Sequence, residues 1–179
     1  LIDDSRFDIT HFTIVSLGRI HEVKRFYLIP EIAAQLKKSG VDFHWYIFGS
    51  ADIPYELQRL TDAIKKNGME ENVIYLGGKA NPYPYLKAAN LLVSISKSEA
   101  CPMIFNEAKI MHVPIVSADF GSAFEFINDG ETGIIATLEE MPNAIMRFIN
   151  DKGLREQINR SISQFEIEIG RAVQQECRD

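Results

Sequence analysis

The sequence predicts an α/β domain with an open parallel sheet of about six strands and helices on both faces. Three observations carry that prediction. Short β-branched and aromatic runs recur along the chain, as buried strands do. Even the closest successive pair, starting at Val73 and Leu91, is 18 residues apart, too far for a hairpin and far enough for a helical crossover between parallel strands. The segments between the runs carry apolar residues at helical period.

The first strand is expected at Phe12 to Leu17 and the second at Phe43 to Phe48. In the second, Phe43, Trp45 and Ile47 alternate with Tyr46 and Phe48, so both faces are apolar and both need cover, which makes Trp45 a core residue. Further strands are expected at Val73 to Leu76, Leu91 to Ile95, Pro114 to Ala118 and Gly133 to Ala136. Phe26, Ile29, Ile32, Ala33 and Leu36 follow helical spacing, as do Leu57, Leu60 and Ile64, with Gly40 and Gly68 just beyond as stops. A helical stretch is expected from Ile104 to Met111, with Pro102 in its first turn, where a missing N–H costs nothing. From Asp151, the spacing of Leu154, Ile158, Ile162, Phe165 and Ile169 predicts one or two surface-lying helices over residues 151–179. No repeat, low-complexity tract or linker interrupts the chain, so residues 1–179 are expected to form one domain.

Composition narrows the function. Hydrophobic residues make up 46% and charged residues 25%, an ordinary globular balance. Nineteen Lys and Arg against 25 Asp and Glu leave a net charge of -6, so nucleic acid is not an expected partner and an anionic ligand must be met by local cations. The two cysteines, Cys101 and Cys177, form no CxxC motif, which predicts neither a disulfide framework nor a zinc site. His11, His21, His44 and His112 show no ligand spacing, and no metal or other cofactor is expected. No apolar run approaches the ~18 residues of a membrane span, and the acidic start lacks a signal-peptide pattern, which predicts a cytoplasmic protein. The chain opens on Leu1 instead of Met, which predicts a piece of something longer.

In an open parallel sheet, ligands bind beyond the carboxyl ends of the strands. Those positions are small and polar: Gly18-Arg19, Gly49-Ser50, Gly77-Gly78, Ser96 to Glu99, and Asp119 to Gly121. Arg19 and Lys24 after the first strand could neutralise a diphosphate as fork and point charge. Free N–H groups after Pro102 offer an anion site. Glu107 lies one turn into that helix, where its carboxylate can accept two hydrogen bonds from a vicinal diol such as a ribose, and Glu99 faces the same mouth. Neither GxGxxG nor GxxxxGK[ST] occurs, so dinucleotide and P-loop readings lose their support. Asp129-Gly130 reads as a turn.

Two blocks, TIVSLGRIHEVKRF from Thr13 and SKSEACPMIFNEAKIMHVPIVSADFGSAFEFINDGETGII from Ser96, carry a resemblance. The first is similar to the strand, Gly-Arg turn and downstream lysine, and the second to the Glu-x7-Glu segment, strand and Asp-Gly-x-Thr-Gly turn, of the donor-binding C-terminal half of the family-four, group-one retaining GT-B glycosyltransferases. The resemblance implies a Rossmann-like fold, one half of a GT-B enzyme, with an N-terminal acceptor domain outside this sequence. It implies that Arg19 and Lys24 hold the donor diphosphate, Glu107 the ribose and Glu99 a sugar hydroxyl, with Gly18 and Gly49 at the turns. Backbone from Gly78 through Lys79 to Ala80 would face the base, and the Met103 and Ile104 amides the phosphates. Arg19, Lys24 and Glu99 would then be the catalytic set.

The implied reaction moves a sugar from a nucleotide diphosphate sugar, with retention and without a metal, to a glycan or lipid-linked acceptor. Surface-polysaccharide synthesis is the expected setting, with peripheral membrane association of the full-length protein at the inner face. A sugar-nucleotide epimerase or hydrolase of the same fold is an alternative, as is a non-catalytic nucleotide-binding module. The sequence departs from the family pattern at Arg25, Ala100, Ser50-Ala51 and Ser122; Arg25, where the family often has glycine, would either add a phosphate contact or sit in solvent, with solvent the favoured expectation.

Overall fold

A computed structural model describes the backbone of residues 1–176 and the side chains of residues 1–164. Phe165, Ile169 and Cys177 of the sequence reading lie outside the described side chains. Six strands form one sheet, β1 (Phe12–Leu17), β2 (Phe43–Phe48), β3 (Val73–Gly77), β4 (Leu91–Ser94), β5 (Ile115–Ala118) and β6 (Ile134–Ala136), in the order β3-β2-β1-β4-β5-β6. Every neighbouring pair is parallel, as the long connections require.

The centre of the sheet is dry. Trp45 is fully buried, and its indole N–H donates to Ser16 Oγ at 3.0 Å. Ser16 in turn donates to the Val93 carbonyl at 2.6 Å, so the polar groups between β1, β2 and β4 are satisfied without water. Chain order reverses between β1 and β4, since β1 leads to β2 on one side while β3 leads back to β4 on the other. The connections from β1 and β4 therefore lead toward opposite edges of the sheet, the arrangement that places a crevice at the carboxyl edge of an open parallel sheet.

Helix α1 (Ile29–Lys38) begins later than its apolar spacing predicts, because Phe26–Leu28 forms a 3-10 turn and Pro30 occupies the first helical turn. Gly40, at φ +82°, ends it in the left-handed conformation that glycine adopts cheaply. Helix α2 (Pro54–Lys66) buries Leu60 and Ile64. Between β3 and β4 lies only the short α3 (Tyr83–Lys87). Helix α4 (Met103–Ile110) starts one residue earlier than expected, and Pro102 is its N-cap, outside the first turn. After the short α5 (Ala123–Phe126), α6 (Met141–Asn150) packs Met141, Ile145 and Phe148 inward. The sequence reading assigns no helix there, although these residues stand at helical spacing. Asp151 then breaks the chain: its Oδ1 accepts from the Leu154 amide at 2.9 Å, an N-cap that starts α7 (Lys152–Glu176) in a new direction. Leu154, Ile158 and Ile162 of α7 are buried, as their spacing predicts. The Asp129-Gly130 turn is present, with Gly130 at φ +77° and its amide on the Gly133 carbonyl at 2.8 Å.

Candidate functional site

The ends of β1 and β2 approach so closely that side chains are excluded. The Gly18 amide donates to the Phe48 carbonyl at 2.9 Å, and the Gly49 amide to the Gly77 carbonyl at 3.0 Å. A Cβ on Gly49 would lie 1.8 Å from Gly18 O, an impossible contact with backbone. A Cβ on Gly18 would lie 2.7 Å from Lys24 Cε, so the lysine stem crosses directly over this glycine. Beside them is a cleft of about 380 Å3 lined by Gly18, Arg19, Gly49, Gly78, Lys79 and Pro82, among others. Arg19 is exposed at its rim, and among the described residues its guanidinium has no hydrogen bond or ion pair.

Lys24 and Glu99, from the loops after β1 and β4, form an ion pair between the Lys24 ammonium and Glu99 Oε1, with side chains 22% and 18% exposed. The same carboxylate oxygen accepts from Ser96 Oγ at 2.6 Å, and the Glu99 carbonyl accepts from Ser122 Oγ at 2.6 Å. The serine at 122 thus anchors the backbone under Glu99.

Arg25 does not sit in solvent but is half-buried against the end of β4. Its Nε donates to the Ile95 carbonyl and its Nη2 to the Ser96 carbonyl, both at 2.7 Å. Burial pushes its guanidinium pKa down, an effect opposed by Tyr27 and Asp119. Its backbone is left-handed at φ 53°, which explains why glycine suits the position. The guanidinium offsets that strain by stapling the β1 loop to the end of β4, and the Lys97 amide adds a bond to the Val23 carbonyl at 2.8 Å. Arg25→Ala should cost about 2 to 3 kcal/mol by losing charge-assisted bonds to carbonyls. Arg25→Gly should recover about 1 kcal/mol of that by relieving the backbone. Urea denaturation of the two variants checks this, and equal losses would remove the strain argument.

Glu107 Oε1 accepts from the Tyr83 hydroxyl at 3.2 Å, and the carboxylate pushes the Tyr83 pKa up. Tyr83, on α3, is a site residue that sequence reasoning missed, since nothing local marks an exposed tyrosine as facing α4. Met103 is 56% exposed, and its amide already donates to the Cys101 carbonyl at 2.9 Å. The half-buried Ile104 brings the next amide, with no backbone partner among the described residues. Lys79 lines the cleft, but its ammonium is held by Asp4 Oδ2 at 2.8 Å. Hydrogen bonds from Arg6 and Lys79 hold the Asp4 carboxyl well below the usual carboxylate range. The lysine charge is therefore spent on the segment ahead of β1, which also caps the Tyr85 hydroxyl through the Asp3 and Asp4 amides at 3.1 Å.

The family model described as glycosyl transferases group 1 matches residues 2–165. This chain belongs to that family. Among relatives of this glycosyl transferase chain is alpha-D-kanosaminyltransferase of Streptomyces kanamyceticus, 27% identical over 150 residues, which cover 81% of this chain and 38% of the relative. The O-antigen biosynthesis glycosyltransferase WbnH of Escherichia coli is 28% identical over 159 residues, covering 88% of this chain and 44% of that protein. The solved structure of Anabaena Alr3699/HepE in complex with UDP-glucose superposes with a TM-score of 0.78 at 21% identity, over 93% of this chain and 49% of that one. That likeness bears out the GT-B type of fold. The chain spans less than half the length of these proteins.

Proposed function

We propose that this chain is the donor-binding part of a retaining glycosyltransferase that moves a sugar from a nucleotide diphosphate sugar to a glycan or lipid-linked acceptor. The observation that carries the reading is the contact of Lys24 with Glu99 above Gly18, beside Arg19, whose guanidinium has no partner among the described residues, at the chain reversal of the sheet. Arg19 and Lys24 bracket the place where a diphosphate would gather negative charge as the bond to the sugar breaks. Fixed cations stabilise that charge without reorganising at the moment of reaction, and no metal is needed in this reading. Glu99 would accept from a sugar hydroxyl, and its bond with Lys24 fixes its orientation. Glu107, already accepting from one hydroxyl, would take the ribose diol.

Relatives support the wider setting. WbnH carries an O-antigen name, and a Campylobacter jejuni relative, 28% identical over 146 residues, is a diphospho-undecaprenol 4-alpha-N-acetylgalactosaminyltransferase. From these we infer surface-polysaccharide synthesis on the cytoplasmic side of a membrane, with peripheral association of the full-length enzyme. The acceptor wall would come from an N-terminal domain, in the part of such proteins that this chain does not span.

Calorimetry tests the donor site. Arg19→Ala and Lys24→Ala should each weaken nucleoside diphosphates roughly tenfold or more while leaving nucleosides level. Equal losses for both ligands would place the diphosphate elsewhere. The half-enzyme reading is tested with a labelled donor and one acceptor extract: the full-length protein should transfer sugar and this chain alone should not, for want of acceptor positioning and water exclusion. Comparable turnover by the isolated chain would overturn that reading.

A further inference from the structure

We propose that Asp8, His11 and His44 form a binding site for a divalent transition-metal ion of the zinc class, at the end of the sheet opposite the donor cleft. One ligand atom from each of these half-buried residues lies within 4.8 Å of the other two. Parallel register pairs Thr13 with His44, which brings the start of β2 beside the segment entering β1. Strands of this length put the cluster about 20 Å from the carboxyl edge.

Each ligand side chain has a polar neighbour that orients it. His11 Nδ1 is 3.5 Å from Asp8 Oδ2, close to the ~3.4 Å between two ligands on a tetrahedral zinc. On the far side of that ring, His11 Nε2 faces Asp42 Oδ1 at 3.7 Å. His11 Nδ1 also lies 3.0 Å from Thr10 Oγ1, a contact that a metal on Nδ1 would displace. His44 Nδ1 lies 3.2 Å from the Tyr46 hydroxyl, which leaves His44 Nε2 available. The two imidazoles are 4.3 Å apart between centroids. Asp8 is oriented by the Thr10 amide on Oδ1 at 2.8 Å and the Thr10 hydroxyl on Oδ2 at 2.7 Å.

Two imidazoles and one carboxylate suit zinc, nickel, cobalt or copper better than magnesium or calcium. Coordination would move the ligand atoms inward by about 1 Å and leave a position for water. Because Asp8 and His11 precede β1 while His44 lies in β2, the ion would cross-link the entering segment to the sheet, a structural role separate from sugar transfer. The sequence conceals the site because its ligands meet only through strand pairing.

Calorimetry with zinc chloride, and titration with cobalt chloride followed by its visible ligand-field absorption, test this on the chelator-treated chain. One equivalent should bind. His11→Ala and His44→Ala should each weaken binding by about tenfold or more, Asp8→Asn likewise, and His112→Ala should leave it unchanged. Circular dichroism establishes that each variant is folded, and Asp8→Asn serves where a histidine variant is not. No uptake by the parent chain, or uptake undiminished in the folded His11, His44 and Asp8 variants, would overturn the proposal.

Discussion

Alanine at Glu107 is expected to lower the affinity of the chain for a nucleoside diphosphate roughly 10- to 150-fold, the worth of a charged acceptor on a ligand hydroxyl pair. Alanine at Glu99 should leave that affinity level or raise it. The difference comes from what each carboxylate touches. Among the described residues the Glu107 carboxylate accepts only from the hydroxyl of Tyr83, itself 42% exposed, so a ribose can displace that contact at small cost. Glu99 holds the Lys24 ammonium, and its removal frees a cation for the diphosphate. With a complete nucleotide sugar the Glu99 variant should lose affinity, because the sugar hydroxyl then lacks its acceptor. Titration of both variants with UDP, GDP and ADP decides the matter. Equal losses on bare nucleotide would contradict the assignment of Glu107 to the ribose.

Gly49→Ala should destabilise the fold by about 3 kcal/mol or more, combining overpacking with an unfavourable backbone. The new Cβ would meet the Gly18 carbonyl, which cannot rotate away as a side chain could. At this chain length, that loss corresponds to a fall in Tm of roughly 10 °C. Gly40→Ala is the control: its φ is also positive, +82° against +157° at Gly49, but nothing lies within 4 Å of its added Cβ. It should cost about 1 kcal/mol, the backbone contribution alone. Thermal unfolding of the two variants gives the comparison. Losses of similar size would mean that the approach of β1 to β2 relaxes freely. Gly49→Ala should also abolish nucleotide binding in any fraction that folds, since the displaced carbonyl carries Gly18 and Arg19 with it.

The strands were legible because their signal is local. A run such as Phe43 to Phe48, apolar on both faces, can be buried in few ways, and its length matches β2 without adjustment. Gly40 and Gly68 were legible as stops for the same reason, since a positive φ at a helix end is a property of one residue. The carboxyl-edge residues followed from the strand limits, so Arg19, Lys24 and Glu99 could be assigned to the loops that leave β1 and β4 before any contact was known.

Sequence by itself therefore determined the layer architecture, the six strands and the charged groups that follow their carboxyl ends. Tertiary structure alone decided which of those groups is neutralised. The Lys24 charge meets Glu99 because two loops converge at the chain reversal, whereas Lys79 is drawn to Asp4 by a segment that runs along the sheet before β1 begins. Arg25 became a staple because the end of β4 presents two carbonyls within its reach. Tyr83 reached Glu107, and His11 came beside His44, through the same kind of long-range approach. Backbone preferences and apolar periodicity act over a few neighbouring residues and can be read along the chain. Electrostatic and hydrogen-bond partners are fixed by distance in space, which the parallel pairing and the crossovers create only when the whole sheet is assembled.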